Sequence, residues 1–159
     1  VFENDTLNFK VHDMRKSLHN SYGAIFNLFT SFGYFKEDEE DLLILKNIKK
    51  GLNKGGYFVF DFLNVDLIKR NLVATETKTI DGITFEITRK IEDNFIIKTI
   101  KFFADNEYKK YTESVKYLDE TKLKSYFSKV GFTIENTFGD YHLNSFENKT
   151  SNRLILIAK

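Results

Sequence analysis

Few side chains in this sequence carry chemistry at a spacing that would let them act together, so those few stand out. Asp61 interrupts the apolar run Tyr57-Phe-Val-Phe-Asp-Phe62 near its carboxyl end. A buried acid must find a partner or shift its pKa, so Asp61 is either a site group or the anchor of hydrogen bonds to the following loop. Asp13 follows an alternating segment, where an Asp serves a turn, caps a helix or meets a ligand. Ser31, Phe32, Gly33 and Tyr34 form a loop with two aromatics, a composition suited to a substrate wall. The three histidines, His12, His19 and His142, show no metal-ligand spacing, and no nucleophile elbow is present. They read as ordinary polar residues, and no metal is expected. With no Cys in the chain, a disulfide framework, a thiolate metal site and a cysteine nucleophile are excluded together.

The elements that must position these residues follow from periodicity. Leu7, Phe9 and Val11 alternate with polar neighbours and predict an edge strand. Residues 22–29, a dense apolar run, predict a strand covered on both faces, and 30–35 a loop. Asp38 is the expected cap of a helix with Leu42, Leu45, Ile48 and Leu52 on one face, acids in its first turn, lysines near its last, and Gly55-Gly56 as its stop. A strand over 57–62 follows at once, so residues 22–62 read as a strand, helix, strand unit with parallel pairing and a right-handed crossover. A short helix is expected at about 65–72.

The texture then changes. Asp81-Gly82, Asp93-Asn94 and Asp105-Asn106 separate runs rich in Thr, Ile and Phe at 75–80, 83–91, 95–103 and 108–117, which predicts an antiparallel meander. A second helix begins at Asp119, with Leu123, Tyr126, Phe127 and Val130 on one face, and stops at Gly131. Strands at 132–138 and 153–158 finish the chain. The charge-rich stretches 36–41 and 46–54 read as solvated helix faces.

Composition sets the bounds. The 159 residues fit one domain, expected to span 1–159, and 42% apolar with 16% aromatic residues exclude a disordered chain. The formal charge of +1 argues against a nucleic-acid partner. No apolar run approaches the roughly 20 residues of a membrane helix, so a soluble, cytoplasmic protein with no membrane partner is expected. The N-terminus, Val-Phe-Glu-Asn-Asp, lacks an initiator Met and a signal-peptide pattern, and reads as an internal start.

Four segments together resemble one known family. Val11-His-Asp-Met-Arg15 looks like the segment after the third strand of a class I S-adenosylmethionine-dependent methyltransferase. Residues 24–35, Ala-Ile-Phe-Asn-Leu-Phe-Thr-Ser-Phe-Gly-Tyr-Phe, resemble its fourth strand and loop. Leu52-Asn-Lys-Gly-Gly-Tyr-Phe-Val-Phe-Asp61 resembles the helix stop and fifth strand. Ser125-Tyr-Phe-Ser-Lys-Val-Gly-Phe132 resembles the helix and the Gly-Phe step into the sixth strand. The family's Gly-rich loop has no counterpart among the eight glycines, nor is there a second strand ending in an acid. The chain thus looks like such an enzyme without its first third.

The resemblance implies an α/β fold, a partial Rossmann-like methyltransferase sheet carrying an antiparallel β insertion at about 75–117 over the active-site mouth. It implies S-adenosylmethionine as cofactor and a small-molecule acceptor. Methyl transfer is an in-line displacement that needs alignment in a dry pocket and no signature triad. On the cofactor side, Asp13 would accept a hydrogen bond from the adenine amino group, Met14 would face the ring, and Asn27, Leu28 and Phe29 would flank the ribose and methionine portions at the strand ends, where open α/β sheets bind ligands. Ser31, Phe32, Tyr34 and Asp61 would line the substrate side. Phe29 as core filling is the alternative from composition alone. The family's strand order, 3-2-1-4-5-7-6, leaves the fourth strand an open edge when strands 1 and 2 are absent, which implies a homo-oligomer or a rearranged N-terminal segment. As an isolated piece the chain is expected to be inactive. The rival reading is a non-catalytic binding or interaction module, or one half of a two-chain assembly.

Overall fold

The computed structural model describes residues 6–159. Residues 1–5, which hold the expected internal start, lie outside the described residues. The described chain builds two four-stranded sheets. The first has the order β1 (Tyr22–Asn27), β2 (Leu52–Leu63), β8 (Arg153–Ala158), β7 (Ile134–Phe138). β1 and β2 are parallel, and β8 runs antiparallel to both of its neighbours. This is the 4-5-7-6 portion of the strand order that the resemblance implies.

Aromatic alternation along β2 makes the core. Phe58, Phe60 and Phe62 point to one face and are fully buried, together with Leu154, Leu156 and Ala158 of β8. Two helices cover that face: α1 (Asp38–Gly51) with Ile44, Leu45 and Ile48, and α3 (Glu120–Lys129) with Leu123, Tyr126 and Phe127. Phe58 stacks on Phe127 at 5.6 Å between ring centroids. α3 starts where expected, with the Asp119 side chain accepting from the Lys122 amide at 2.8 Å.

The antiparallel meander forms as its turn residues dictate. β3 (Thr75–Ile80), β4 (Ile83–Glu92), β5 (Phe95–Ala104) and β6 (Glu107–Lys116) pair in sequence order. Both residues of each connecting pair, Asp81-Gly82, Asp93-Asn94 and Asp105-Asn106, take positive φ, as hairpin turns that match strand twist require. The last strands thus lock into the register that their turns impose.

Four expectations are corrected. First, residues 8–13 form no strand, and Phe9 and Val11 are exposed. Alternation alone does not make a strand, and no strand lies beyond β1 among the described residues. Second, β1 is not covered on both faces. Its neighbour on one side is β2 and its other edge carries no strand among the described residues, while Phe26 is 61% exposed. Third, Asp38 is the first residue of α1 rather than its cap, because Lys122 and Lys116 hold its carboxylate at 2.7 and 3.2 Å. That helix ends at Gly51, not at Gly55-Gly56. Gly56 instead admits the carbonyls of Tyr22 and Gly23, which a Cβ there would meet at 3.2 and 2.9 Å, so β1 can approach β2 closely. Fourth, Asp41 is no solvated charge. It is fully buried and paired with the equally dry Lys116 of β6 at 2.7 Å.

That ion pair joins α1 to the end of the meander, and the Lys116 amide adds a bond to the Gly33 carbonyl at 2.7 Å. Burial drives the Asp41 carboxyl upward against the pull of Lys116, whereas Lys122 above all, with Lys116 adding to it, holds Asp38 well below the usual carboxylate range. Because the folded value of Asp38 is lowered, its contribution is fully present above the ordinary value near 3.8 and is lost as pH falls from there through the lowered folded value.

Two outcomes are expected. Lys116→Met alone should cost about 3–5 kcal/mol in a urea melt, because Asp41 is left buried and unpaired, and adding Asp41→Leu should recover most of the loss. Sedimentation of the chain should show concentration-dependent self-association through the open edge of β1, which Phe26→Lys weakens. A monomer at all concentrations would remove that role from β1.

Candidate functional site

The carboxyl ends of β1 and β2 are shaped by one buried acid. Asp61, 1% exposed, lies near the end of β2. Its Oδ1 accepts from Arg153 Nε of β8 at 2.7 Å, and its Oδ2 accepts from the Phe29 amide at 2.8 Å and the Tyr141 hydroxyl at 3.0 Å. Thr30 is held from both sides, its amide on the Asp61 carbonyl at 3.1 Å and its hydroxyl on Arg153 Nη2 at 3.0 Å. These bonds fix Phe29 and Thr30 at φ 56° and 64°. Two successive left-handed residues other than glycine persist only where surroundings over-determine them.

The remaining sequence-predicted residues separate into three settings. On the expected cofactor side, Met14 and Asn27 come together, with Asn27 Nδ2 4.0 Å from Met14 Sδ and donating to the Ser31 carbonyl at 3.1 Å. Asn27 is 94% buried, yet its Oδ1 accepts from no group. Asp13 stands beside Met14, and both of its oxygens accept from Arg15, Oδ1 from Nε and the amide, Oδ2 from Nη2 at 2.9 Å. Those hydrogen bonds hold its carboxyl down at about 2. Leu28 is exposed, with its carbonyl taken by the Ser31 hydroxyl at 2.7 Å.

On the expected substrate side, the loop divides. Ser31 stays local, and Phe32 turns into the core, fully buried against Phe60 at 5.2 Å, so it is no exposed loop aromatic. Hydrophobic burial wins because the loop turns back under the meander at Gly33, φ 78°. Tyr34 remains half-exposed and donates to Glu113 Oε1 of β6 at 2.9 Å. Burial first, and the Glu113 carboxylate second, push its phenol up to about 12.

Between the strand ends and the meander lies a cavity of about 660 Å³. Phe29, Thr30 and Leu63 form its floor, Leu67, Ile68 and Leu72 around α2 (Val65–Arg70) one wall, and the meander its roof. Of the nine site residues singled out from sequence, Phe29 lines it directly, while Tyr34 and Asp61 reach it through Glu113 and Phe29. Sequence reading missed the roof. Arg89, Lys98 and Glu113 stand on neighbouring strands in one row, Arg89 opposite Lys98 and Lys98 opposite Glu113, and Glu76, opposite Ile87, lies diagonal to Arg89. The signal was available, because two-residue turns fix which residues oppose one another. Among the described residues no His, Asp and Glu group is arranged to hold a metal, and no helix is long and apolar enough to cross a membrane.

No family model and no curated protein matches this sequence. Solved structures do match its fold. An S-adenosylmethionine-dependent methyltransferase from Clostridium acetobutylicum superposes with a TM-score of 0.81 at 18% identity, over 94% of this chain and 63% of that one. The CcbJ methyltransferase from Streptomyces caelestis gives 0.79 at 13% identity, over 94% and 62%. The sugar N-methyltransferase KedS8 from a Streptoalloteichus species gives 0.70 at 13%, over 92% and 60%. The fold is therefore that of a class I S-adenosylmethionine-dependent methyltransferase, a partial Rossmann-like sheet with its antiparallel insertion. The chain spans about three-fifths of the length of these structures.

The role of Asp61 predicts a split between two variants. Asp61→Leu should expose the Phe29 amide to hydrogen exchange and cost about 3–5 kcal/mol by stranding Arg153. Tyr141→Phe should cost about 0.5–1.5 kcal/mol and leave that amide protected.

Proposed function

We infer that this chain supplies the acceptor-binding side and part of the cofactor-binding side of an S-adenosylmethionine-dependent methyltransferase acting on a small molecule. The observation that carries this reading is the position of the cavity, at the carboxyl ends of β1 and β2 and under the meander, where open α/β sheets take ligands. KedS8 is by its name a sugar N-methyltransferase, which supports a small-molecule acceptor in a cavity of this size.

The cofactor, when bound, supplies a methyl group on a sulfonium that an acceptor nucleophile displaces in line. The residues present fit one part of it. The buried Asn27 Oδ1 lacks a donor, and a polar atom so placed is expected to meet one in the working protein. Met14 lies beside it, and Asp13 keeps lone pairs for a donor at the edge despite its bonds to Arg15. Leu28 and Phe29 complete the strand end. On the acceptor side, Tyr34 braces Glu113, Asp61 fixes the floor at Phe29, and Ser31 and the buried Phe32 hold the connecting loop in place. Roof and floor bound the place of transfer, which in-line displacement needs dry.

One observation favours the rival reading of a binding or interaction module. None of the glycines forms a Gly-rich strand-to-helix turn, the element that holds the methionine portion. Calorimetry with S-adenosylmethionine separates the two. The 159-residue chain is expected to bind it far more weakly than micromolar and to transfer no methyl group, and a version extended at its N-terminus is expected to bind it. Failure of the extended version to bind would leave the interaction module. In an active version, Tyr34→Ala should raise the KM for acceptor several-fold with little change in cofactor affinity, and equal loss of both would remove Tyr34 from the acceptor side.

A further inference from the structure

The charged row in the cavity roof is unequally satisfied. Arg89 Nη2 donates to Glu76 Oε2 at 2.8 Å, and Lys78 holds the other oxygen of Glu76 at 2.8 Å. Glu113 accepts from Tyr34. Lys98 is half-buried and flanked by Arg89 on one side and Glu113 on the other, and its ammonium forms no ion pair or hydrogen bond among the described residues. It is the cavity cation left without a counter-ion, while both cavity carboxylates already have donors.

A partly desolvated ammonium is stabilised most by an anion brought to it. Around it, Leu63, Leu67, Leu72 and Ile96 offer apolar surface. We propose that the small molecule bound in this cavity has an apolar body and one anionic group, a carboxylate or a phosphate ester, and that Lys98 binds the anion and so determines specificity. This rests on the reading of the cavity as the acceptor site but does not need the cofactor to be bound.

The geometry also explains why the neighbours matter. Arg89 shares Glu76 with Lys78 and has its guanidinium engaged there, whereas Glu113 lies directly across from Lys98 and opposes an incoming anion. Tyr34 donating to Glu113 softens that opposition and keeps the carboxylate turned toward the loop.

The test titrates the 159-residue chain with phenyl phosphate, benzoate, benzyl alcohol and benzylamine, followed by NMR of the Leu67 and Ile96 methyl groups. At least one anion should bind at least tenfold more tightly than benzyl alcohol, and the order of phosphate and benzoate identifies the group. Lys98→Met should lower anion affinity tenfold or more, the scale of one charged hydrogen bond, Lys98→Arg should retain most of it, and added salt should weaken it. Glu113→Gln, which leaves Lys98 in place, should strengthen anion binding, so the proposal remains open to refutation if Lys98→Met does not fold. Equal binding of alcohol and anion, tighter binding of benzylamine, no binding by any of the four, or unchanged affinity in Lys98→Met would each overturn it. S-adenosylmethionine is titrated separately into the N-terminally extended version: anion binding with no cofactor binding there would refute the methyl-transfer reading and leave the anion site standing.

Discussion

A carboxylate with no access to water organises the end of this sheet. Asp61 is driven into the interior by the Phe residues on either side of it in β2, and a charge so placed is tolerable only with donors around it. Arg153, Tyr141 and the Phe29 amide supply them. Each donor comes from a different part of the chain: β8, the loop before it, and the turn after β1. One carboxylate therefore ties the carboxyl ends of β1 and β2 to the start of the antiparallel β8. It also holds Phe29 and Thr30 in a backbone conformation that neither residue would choose alone, and those two residues form the cavity floor.

A second buried charge performs the matching task for the roof. Asp41 and Lys116 join α1 to the last strand of the meander, and the Lys116 amide and Tyr34 hydroxyl tie the same strand to the loop after β1. Buried pairs of this kind contribute little net stability relative to apolar packing. Their value here is positional, since they fix one sheet over the other where apolar contacts alone would permit sliding. The cavity is the space that these two anchored layers leave between them.

The covered and uncovered faces of the first sheet differ sharply. Phe58, Phe60 and Phe62 lie under α1 and α3 with no exposure, while Tyr57 and Phe26 on the opposite side are 41% and 61% exposed. Sheets that contain parallel strands ordinarily have both faces covered. The outer edge of β1 carries no strand among the described residues. These features agree with a chain that spans three-fifths of the structures it resembles.

Local chemistry was enough for much of this. Turn pairs with Asp, Asn and Gly set the meander and its register, because few residues accept positive φ at two successive positions. Apolar spacing located α1 and α3, and the order of elements with the short motifs around residues 24–35 and 52–61 pointed to the methyltransferase fold. Asp61 was legible as a buried acid because the residues around it are apolar. Its partners were not, since Arg153 and Tyr141 are some 80 to 90 residues away in the chain. The burial of Asp41 and of Phe32, the exposure of β1 and the failure of residues 8–13 to form a strand were decided by tertiary structure alone. In each case the outcome depends on which surface arrives from elsewhere to cover a segment or pair with it, and a segment's own sequence holds no record of that surface.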